Sequence, residues 1–123
     1  MTANAIAQVK DLRAYYITDA YGVRRTVRAV DGVSISIRAN EIFGICGESS
    51  CGKSTLLKVM QGMVEPPLTV VGGTVECNFD GQSVNVLSMT DSESQRIRWQ
   101  DVSYIPQGSM HVLNRVRKVR NTF

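Results

Sequence analysis

Apolar and polar residues alternate strictly through Val33-Ser34-Ile35-Ser36-Ile37, the period of a half-buried strand. Residues 23–30 before it are also strand-like, and Asp31-Gly32 between the two runs is a two-residue hairpin signal. Further upstream, Val9, Leu12, Ala14 and Tyr16 predict an extended segment over residues 9–18 with imperfect alternation, followed by a turn at 19–22. Asn40 supplies a left-handed turn position ahead of Ile42-Phe43-Gly44-Ile45-Cys46. That run is nearly all apolar, the pattern of a strand buried on both faces. Residues 53–61 carry Leu56, Leu57, Val59 and Met60 without a proline, as a helix packed on a sheet requires.

Gly62 is the natural end of that helix, and Pro66-Pro67 prevents its continuation. Gly72-Gly73 is expected to open a strand over 74–79, closed by the second hairpin signal, Asp80-Gly81. Thr90-Asp91-Ser92-Glu93 forms the sequence of a capping box for a short helix through Arg98. Residues 102–105 are again strand-like, ending at Pro106-Gln107-Gly108. The class is therefore α/β, with an antiparallel β lead-in over about 1–40, a strand–loop–helix unit over about 41–62, and a hairpin with a short helix over about 72–98.

Composition narrows the picture only slightly. The chain of 123 residues, 43% hydrophobic and 20% charged, is long enough for one domain with a core. No apolar run approaches the roughly 20 residues needed to cross a bilayer, and the N-terminus lacks the pattern of a signal peptide. A net charge of +3 suits an anionic ligand without arguing for nucleic acid. Three cysteines without a Cys-x-x-Cys pair support neither a disulfide framework nor a metal site, and all three are expected as small packing residues. The run from His111 to Phe123 holds Arg115, Arg117, Lys118 and Arg120 with no acid, a solvated face or a contact to a partner or anionic lipid.

The chemistry lies between the buried run and the helix. Gly47, Glu48, Ser49, Ser50, Cys51, Gly52, Lys53 and Ser54 fit G-x-x-x-x-G-K-[ST], the phosphate-binding P-loop. Its glycines let a phosphate approach the main chain, and successive N–H groups turn inward as an anion nest at the positive end of the helix. Lys53 is expected at the β- and γ-phosphates and Ser54 on Mg²⁺, with the Thr55 hydroxyl as an extra phosphate donor.

Together these pieces resemble the ATP-binding subunit of an ABC transporter, and more narrowly the oligopeptide/dipeptide importer group. The likeness is carried by Val9-Lys10-Asp11-Leu12, Arg28-Ala29-Val30-Asp31-Gly32-Val33-Ser34, Gly44-Ile45-Cys46-Gly47-Glu48-Ser49, and Tyr104-Ile105-Pro106-Gln107 with Leu113-Asn114. The resemblance implies a RecA-like P-loop NTPase core with an antiparallel β subdomain, truncated after the Q-loop strand at about 101–108 and the start of a helical subdomain at about 109–123. It implies ATP and Mg²⁺ as ligands, with residues 47–55 holding the nucleotide. Tyr16 matches the aromatic that stacks on adenine, although Tyr15 and Tyr21 compete for that role. Gln107 matches the Q-loop glutamine, which in the family meets Mg²⁺ and the attacking water, so Lys53 and Gln107 are the catalytic candidates.

The same resemblance implies a head-to-tail dimer with a second ATP-binding subunit, docked on transmembrane permease subunits at the cytoplasmic face of the membrane, with no nucleic acid partner. Two local departures are Asn40 in place of the usual glycine and Arg115 where proline commonly follows Leu-Asn. The family's Leu-Ser-Gly-Gly-Gln signature, its Asp-Glu strand and its switch histidine do not occur in these 123 residues. Weak or absent hydrolysis by this chain alone is the resulting expectation. A non-catalytic nucleotide-binding module is the alternative from another class, alongside a non-transport ABC protein. A GTPase is disfavoured because Asn-Lys-x-Asp is absent, and a small-molecule kinase fits the antiparallel lead-in poorly.

Overall fold

The computed structural model describes residues 5–108; the basic run at 111–123 and the Leu113-Asn114 pair lie outside them. Four strands and two helices are present among these residues: β1 Ala5–Ala20, β2 Val23–Arg38, α1 Lys53–Met60, β3 Leu68–Phe79, β4 Gln82–Asn85 and α2 Asp91–Gln100. A 3₁₀ turn, Val86–Ser88, joins β4 to the second helix. The strands form one antiparallel sheet in the order β2-β1-β3-β4. None of the described helices is long and apolar enough to cross a membrane.

β1 and β2 join through Tyr21 and Gly22, both at positive φ, with Ala20 paired to Val23. β3 and β4 join the same way through Asp80 and Gly81. Two consecutive positive-φ residues make the tight turn whose twist matches the strands it connects. At Asp31-Gly32 the structure departs from the expected hairpin. β2 runs straight through, Leu12 pairs with Val33, Arg13 pairs with Asp31, and Gly32 is left over as a bulge at φ +73.

Gly72-Gly73 likewise does not open a strand but sits inside β3, which begins at Leu68. Lys10 pairs with Thr74 and Arg13 with Gly72, so the extra residues fall at Asp11-Leu12 in β1 and Gly73 in β3. The three irregularities lie at one level of the sheet. Each resets the side-chain phase by one residue: inward positions run 5, 7, 9 then 12, 14 in β1, 30 then 33, 35, 37 in β2, and 68, 70 then 75, 77 in β3. That is why the alternation in the first segment looks imperfect. The sheet is creased across three strands, and the apolar residues stay on one face on both sides of the crease.

That face and α1 make the core. Leu12, Val9, Val59 and Val75 are fully buried, with Ala14, Val30, Leu56, Leu68 and Val86 around them. Leu56 and Val59 lie one turn apart on α1 and are the residues the helix buries among its apolar set. The helix stops at Gln61 and Gly62: the Gly62 N–H donates to the Val59 carbonyl (3.0 Å) and the Met63 N–H to the Lys58 carbonyl (2.9 Å). This double closure with glycine at positive φ is the Schellman ending that Gly62 promised. α2 begins with the expected box, the Thr90 side chain accepting from the Glu93 N–H and the Glu93 carboxylate accepting from the Thr90 N–H.

Two expected strands do not form. Residues 42–46 run without regular structure, with Ile42 at 104% and Phe43 at 43% exposure and Ile45 alone packing against the core. Residues 102–105 are likewise irregular, and Ile105 is exposed. A strand exists through its ladder, and among the described residues none pairs with either segment. The described part is thus a small antiparallel sheet with two helices, without a parallel sheet.

Candidate phosphate-binding site

The loop at 47–54 is set by what precedes it. Asn40 takes φ +58 after β2, and Glu41 closes the turn by accepting from the Arg38 N–H at 2.6 Å and its guanidinium at 3.2 Å. Those bonds, the backbone one foremost, hold the Glu41 carboxyl below its usual range. The chain then runs without regular structure into Gly47 and folds over at Ser50 (φ +63), with the Cys51 N–H reaching the Glu48 carbonyl at 3.4 Å. Gly52, at φ +98, is the N-cap of α1 and presses on β2. A Cβ there would lie inside the Ala29 carbonyl oxygen's van der Waals envelope.

Gly47 is needed for a different reason. Its φ is ordinary, but a Cβ would stand 2.7 Å from the Cys51 sulfur and 3.9 Å from Lys53 Nζ, filling the hollow of the loop. The Lys53 ammonium is folded back over that hollow, donating to the carbonyls of Gly47 (2.8 Å) and Glu48, with Cys51 Sγ at 3.4 Å. α1 has no side-chain cap and no acidic residue in its first turn, whereas Lys58 lies in its last turn. Its first N–H groups and the positive end of its dipole therefore face the loop uncompensated. An open hollow, an ammonium and an uncapped helix start together fit a polyphosphate. Beside the loop, Val33, Ile35, Phe43, Ile45 and Leu56 line a mainly apolar cleft of about 530 Å³.

The expected site residues divide into groups. Gly47, Glu48, Cys51, Gly52 and Lys53 are brought together; Glu48, Ser49 and Ser50 form the exposed outer turn, and the Ser54 side chain is exposed at the helix start. Tyr16 and Thr55 meet, their hydroxyl oxygens 3.2 Å apart. Tyr15 instead lies beyond the core, its phenol donating to Asp31 at 2.6 Å under the Arg28 guanidinium, and Tyr21 projects from the first hairpin. Gln107 is exposed in a turn, and no hydrogen bond among the described residues joins it to the loop. Cys77 is the packing residue expected, its thiol pushed up to about 11 by burial, but Cys46 and Cys51 are exposed. Ala29 was not visible beforehand: it contributes only a carbonyl, so no side chain signals it.

A glycine loop whose main chain cups a hollow beneath a lysine, at an uncapped helix start, defines the P-loop nucleotide-binding class. The chain belongs to the ABC transporter family, whose model matches residues 30–122. It is similar to the dipeptide transport ATP-binding protein DppD of Caldanaerobacter subterraneus, 35% identical over 96% of this chain and 34% of the relative. It is also similar to YkfD of Bacillus subtilis, named for oligopeptide transport, at 34% over 93% of this chain and 32% of the relative. The xylose import ATP-binding protein XylG of Ralstonia nicotianae is 48% identical over 54% of this chain and 12% of the relative. The chain spans about a third of the length of the peptide-transport relatives it matches.

Proposed function

We propose that this chain binds Mg-ATP as the nucleotide-holding part of an ABC-type importer ATPase, and that in the whole subunit hydrolysis powers uptake of peptides or similar small solutes. The observation that carries the reading is the seating of the loop. Gly52 is locked on Ala29, Gly47 leaves the hollow open, and Lys53 hangs over it at the uncapped start of α1. The names of the two peptide-transport relatives support the cargo class.

In this reading main-chain N–H groups of residues 47–54 hold the phosphates, and Lys53 leaves the carbonyls of Gly47 and Glu48 for the β- and γ-oxygens. The exchange replaces neutral acceptors by charged ones, which strengthens each hydrogen bond. Ser54, exposed at the helix start, supplies the hydroxyl for Mg²⁺. Tyr16 offers the base its ring, and Gln107 completes the metal and water contacts. The RecA-like core, the head-to-tail dimer, the permease subunits and the inner face of the membrane belong to the same proposal. Titration calorimetry with Mg-ATP tests it: Lys53→Ala should weaken binding by at least about tenfold, the scale of a charged phosphate contact. Equal affinity in both chains would falsify the reading.

A further inference from the structure

Where α2 meets the loop after α1, a second cleft of about 420 Å³ lies apart from the phosphate loop. Val64, Leu68, Val86, Leu87 and Met89 give it apolar walls, and Ser94 belongs to its lining. A helix lying on a core normally turns an apolar residue inward, yet the buried residue of α2 is this serine, 8% exposed. Its hydroxyl oxygen has no hydrogen-bond partner among the described residues. Ser94 Oγ and Val86 Cγ1 each stand 3.2 Å from where a Cβ on Gly62 would lie, so the oxygen sits where three elements converge. A buried polar atom without a partner opposes folding, and its presence calls for a reason.

We propose that this cleft binds a small uncharged ligand with an apolar body and one hydrogen-bonding group, which pairs with the Ser94 hydroxyl. The volume falls within the range of small-molecule sites, whose walls are mostly apolar with a few polar groups that fix orientation. A ligand entering apolar side first covers the walls, and its polar end supplies the partner that the fold withholds. Rotation of the Ser94 side chain between staggered positions turns the hydroxyl towards that group. A hydroxyl both donates and accepts, so either kind of polar end is served. No lysine, arginine or histidine lines the cleft among the described residues, and Asp91 is exposed at its rim. An anion would lose its hydration there with nothing to replace it. This site therefore differs in kind from the phosphate loop, and the inference does not rest on the nucleotide reading.

The test is an amide-resolved NMR titration of the whole chain with 3-phenylpropan-1-ol, propylbenzene and 3-phenylpropanoate, three probes of one shape. The alcohol should bind with a Kd of about 1 mM, reasonable for about ten non-hydrogen atoms, and shift the amides of Leu68, Val86 and Ser94. Propylbenzene should bind about three- to tenfold more weakly, the worth of one hydrogen bond. The carboxylate should be weaker than the alcohol by at least about tenfold. In Ser94→Ala the alcohol should fall to the affinity of propylbenzene, whose own binding stays within about twofold. The same variant, free of ligand, should unfold at higher urea, so that affinity and stability move in opposite directions. Equal losses for alcohol and hydrocarbon, or an alcohol affinity untouched by Ser94→Ala, would overturn the inference. So would shifts confined to other residues, or displacement of the alcohol by Mg-ATP, which would place the probe at the phosphate loop. The comparison of the three probes on the unsubstituted chain stands even if the variant misfolds: equal affinities there also overturn it.

Discussion

Gly52 and Ala29 touch main chain to main chain: the N-cap of α1 rests on the β2 carbonyl with no room for a methyl group between them. The contact fixes where the loop sits on the sheet, and through the loop where the helix start points. Gly52→Ala adds both a clash with backbone and a side chain at φ +98. It should cost about 3 kcal/mol or more in urea unfolding and remove phosphate affinity with it. Gly47→Ala is the contrast, because its methyl group meets only the movable Cys51 thiol and Lys53 chain at an ordinary φ. That variant should stay within about 1 kcal/mol of the parent yet lose affinity, since the hollow is filled. If Gly52→Ala were as stable as Gly47→Ala, the seating of the loop would be wrong.

The crease makes a similar demand on Gly73. A Cβ there would stand 2.5 Å from the Asp11 carbonyl oxygen and 2.6 Å from both the Leu12 Cα and the Lys10 carbonyl oxygen. All three are backbone of the central strand, which cannot yield without disturbing the pairing on its other edge. Gly73→Ala should therefore lower stability by about 3 kcal/mol or more. Gly81→Asn, at φ +80 in a turn with open space around it, should change stability by less than about 1 kcal/mol. Equal urea midpoints for the two variants would remove the bulge from the description of the sheet.

On the outer side of the crease, Asp31 gathers the Tyr15 phenol, Arg28 at 3.6 Å and Arg13 at 3.8 Å, while Arg13 also reaches Asp11 at 2.9 Å. The phenol's hydrogen bond, helped by the two arginines and opposed by desolvation, holds the Asp31 carboxyl below its ordinary value. The same bond, with desolvation and the carboxylate's charge, holds the Tyr15 phenol above its own. The Asp31 contribution is present above the ordinary carboxylate pKa of about 4 and is lost as pH falls through the depressed folded value. The Tyr15 contribution is present below about pH 10 and is lost as pH rises through the raised folded value. The stability difference between the parent and Tyr15→Phe should then be flat from about pH 5 to 9 and shrink at both extremes. A difference that ignores pH throughout would mean the phenol–carboxylate bond does not form.

What could be read beforehand was local. The two helices, the Schellman glycine, the capping box and the Asp80-Gly81 hairpin are each specified within a few neighbouring residues. The P-loop belongs with them, because its glycines, lysine and serine fall within eight contiguous residues, 47–54. Asp31-Gly32 and Gly72-Gly73 are ambiguous in sequence because a positive-φ glycine serves a bulge as well as a turn, and the choice depends on the strand opposite. Residues 42–46 show the same limit from the other direction: apolarity marks a segment fit for burial, but a ladder needs a partner that the segment does not specify. The Tyr16–Thr55 contact also joins distant positions, and no spacing rule connects residues 39 apart.

At the start of α2, two hydroxyls one turn apart, on the N-cap and in the helix, should respond in opposite directions. Thr90 is the N-cap: it accepts from the Glu93 N–H, and the Glu93 carboxylate in turn accepts from the Thr90 N–H at 2.8 Å and its hydroxyl at 2.7 Å. Thr90→Ala leaves helix-start donors unmet and should cost about 1 kcal/mol. Ser94 is buried against Gly62 and Val86, and its hydroxyl oxygen has no hydrogen-bond partner among the described residues. A polar group desolvated without compensation opposes folding, and alanine has the higher helix propensity. Ser94→Ala should therefore raise stability by about 1 kcal/mol, seen as a higher urea midpoint at unchanged slope. A fall of similar size would mean that the hydroxyl has a partner after all, either a buried water or a carbonyl of its own helix.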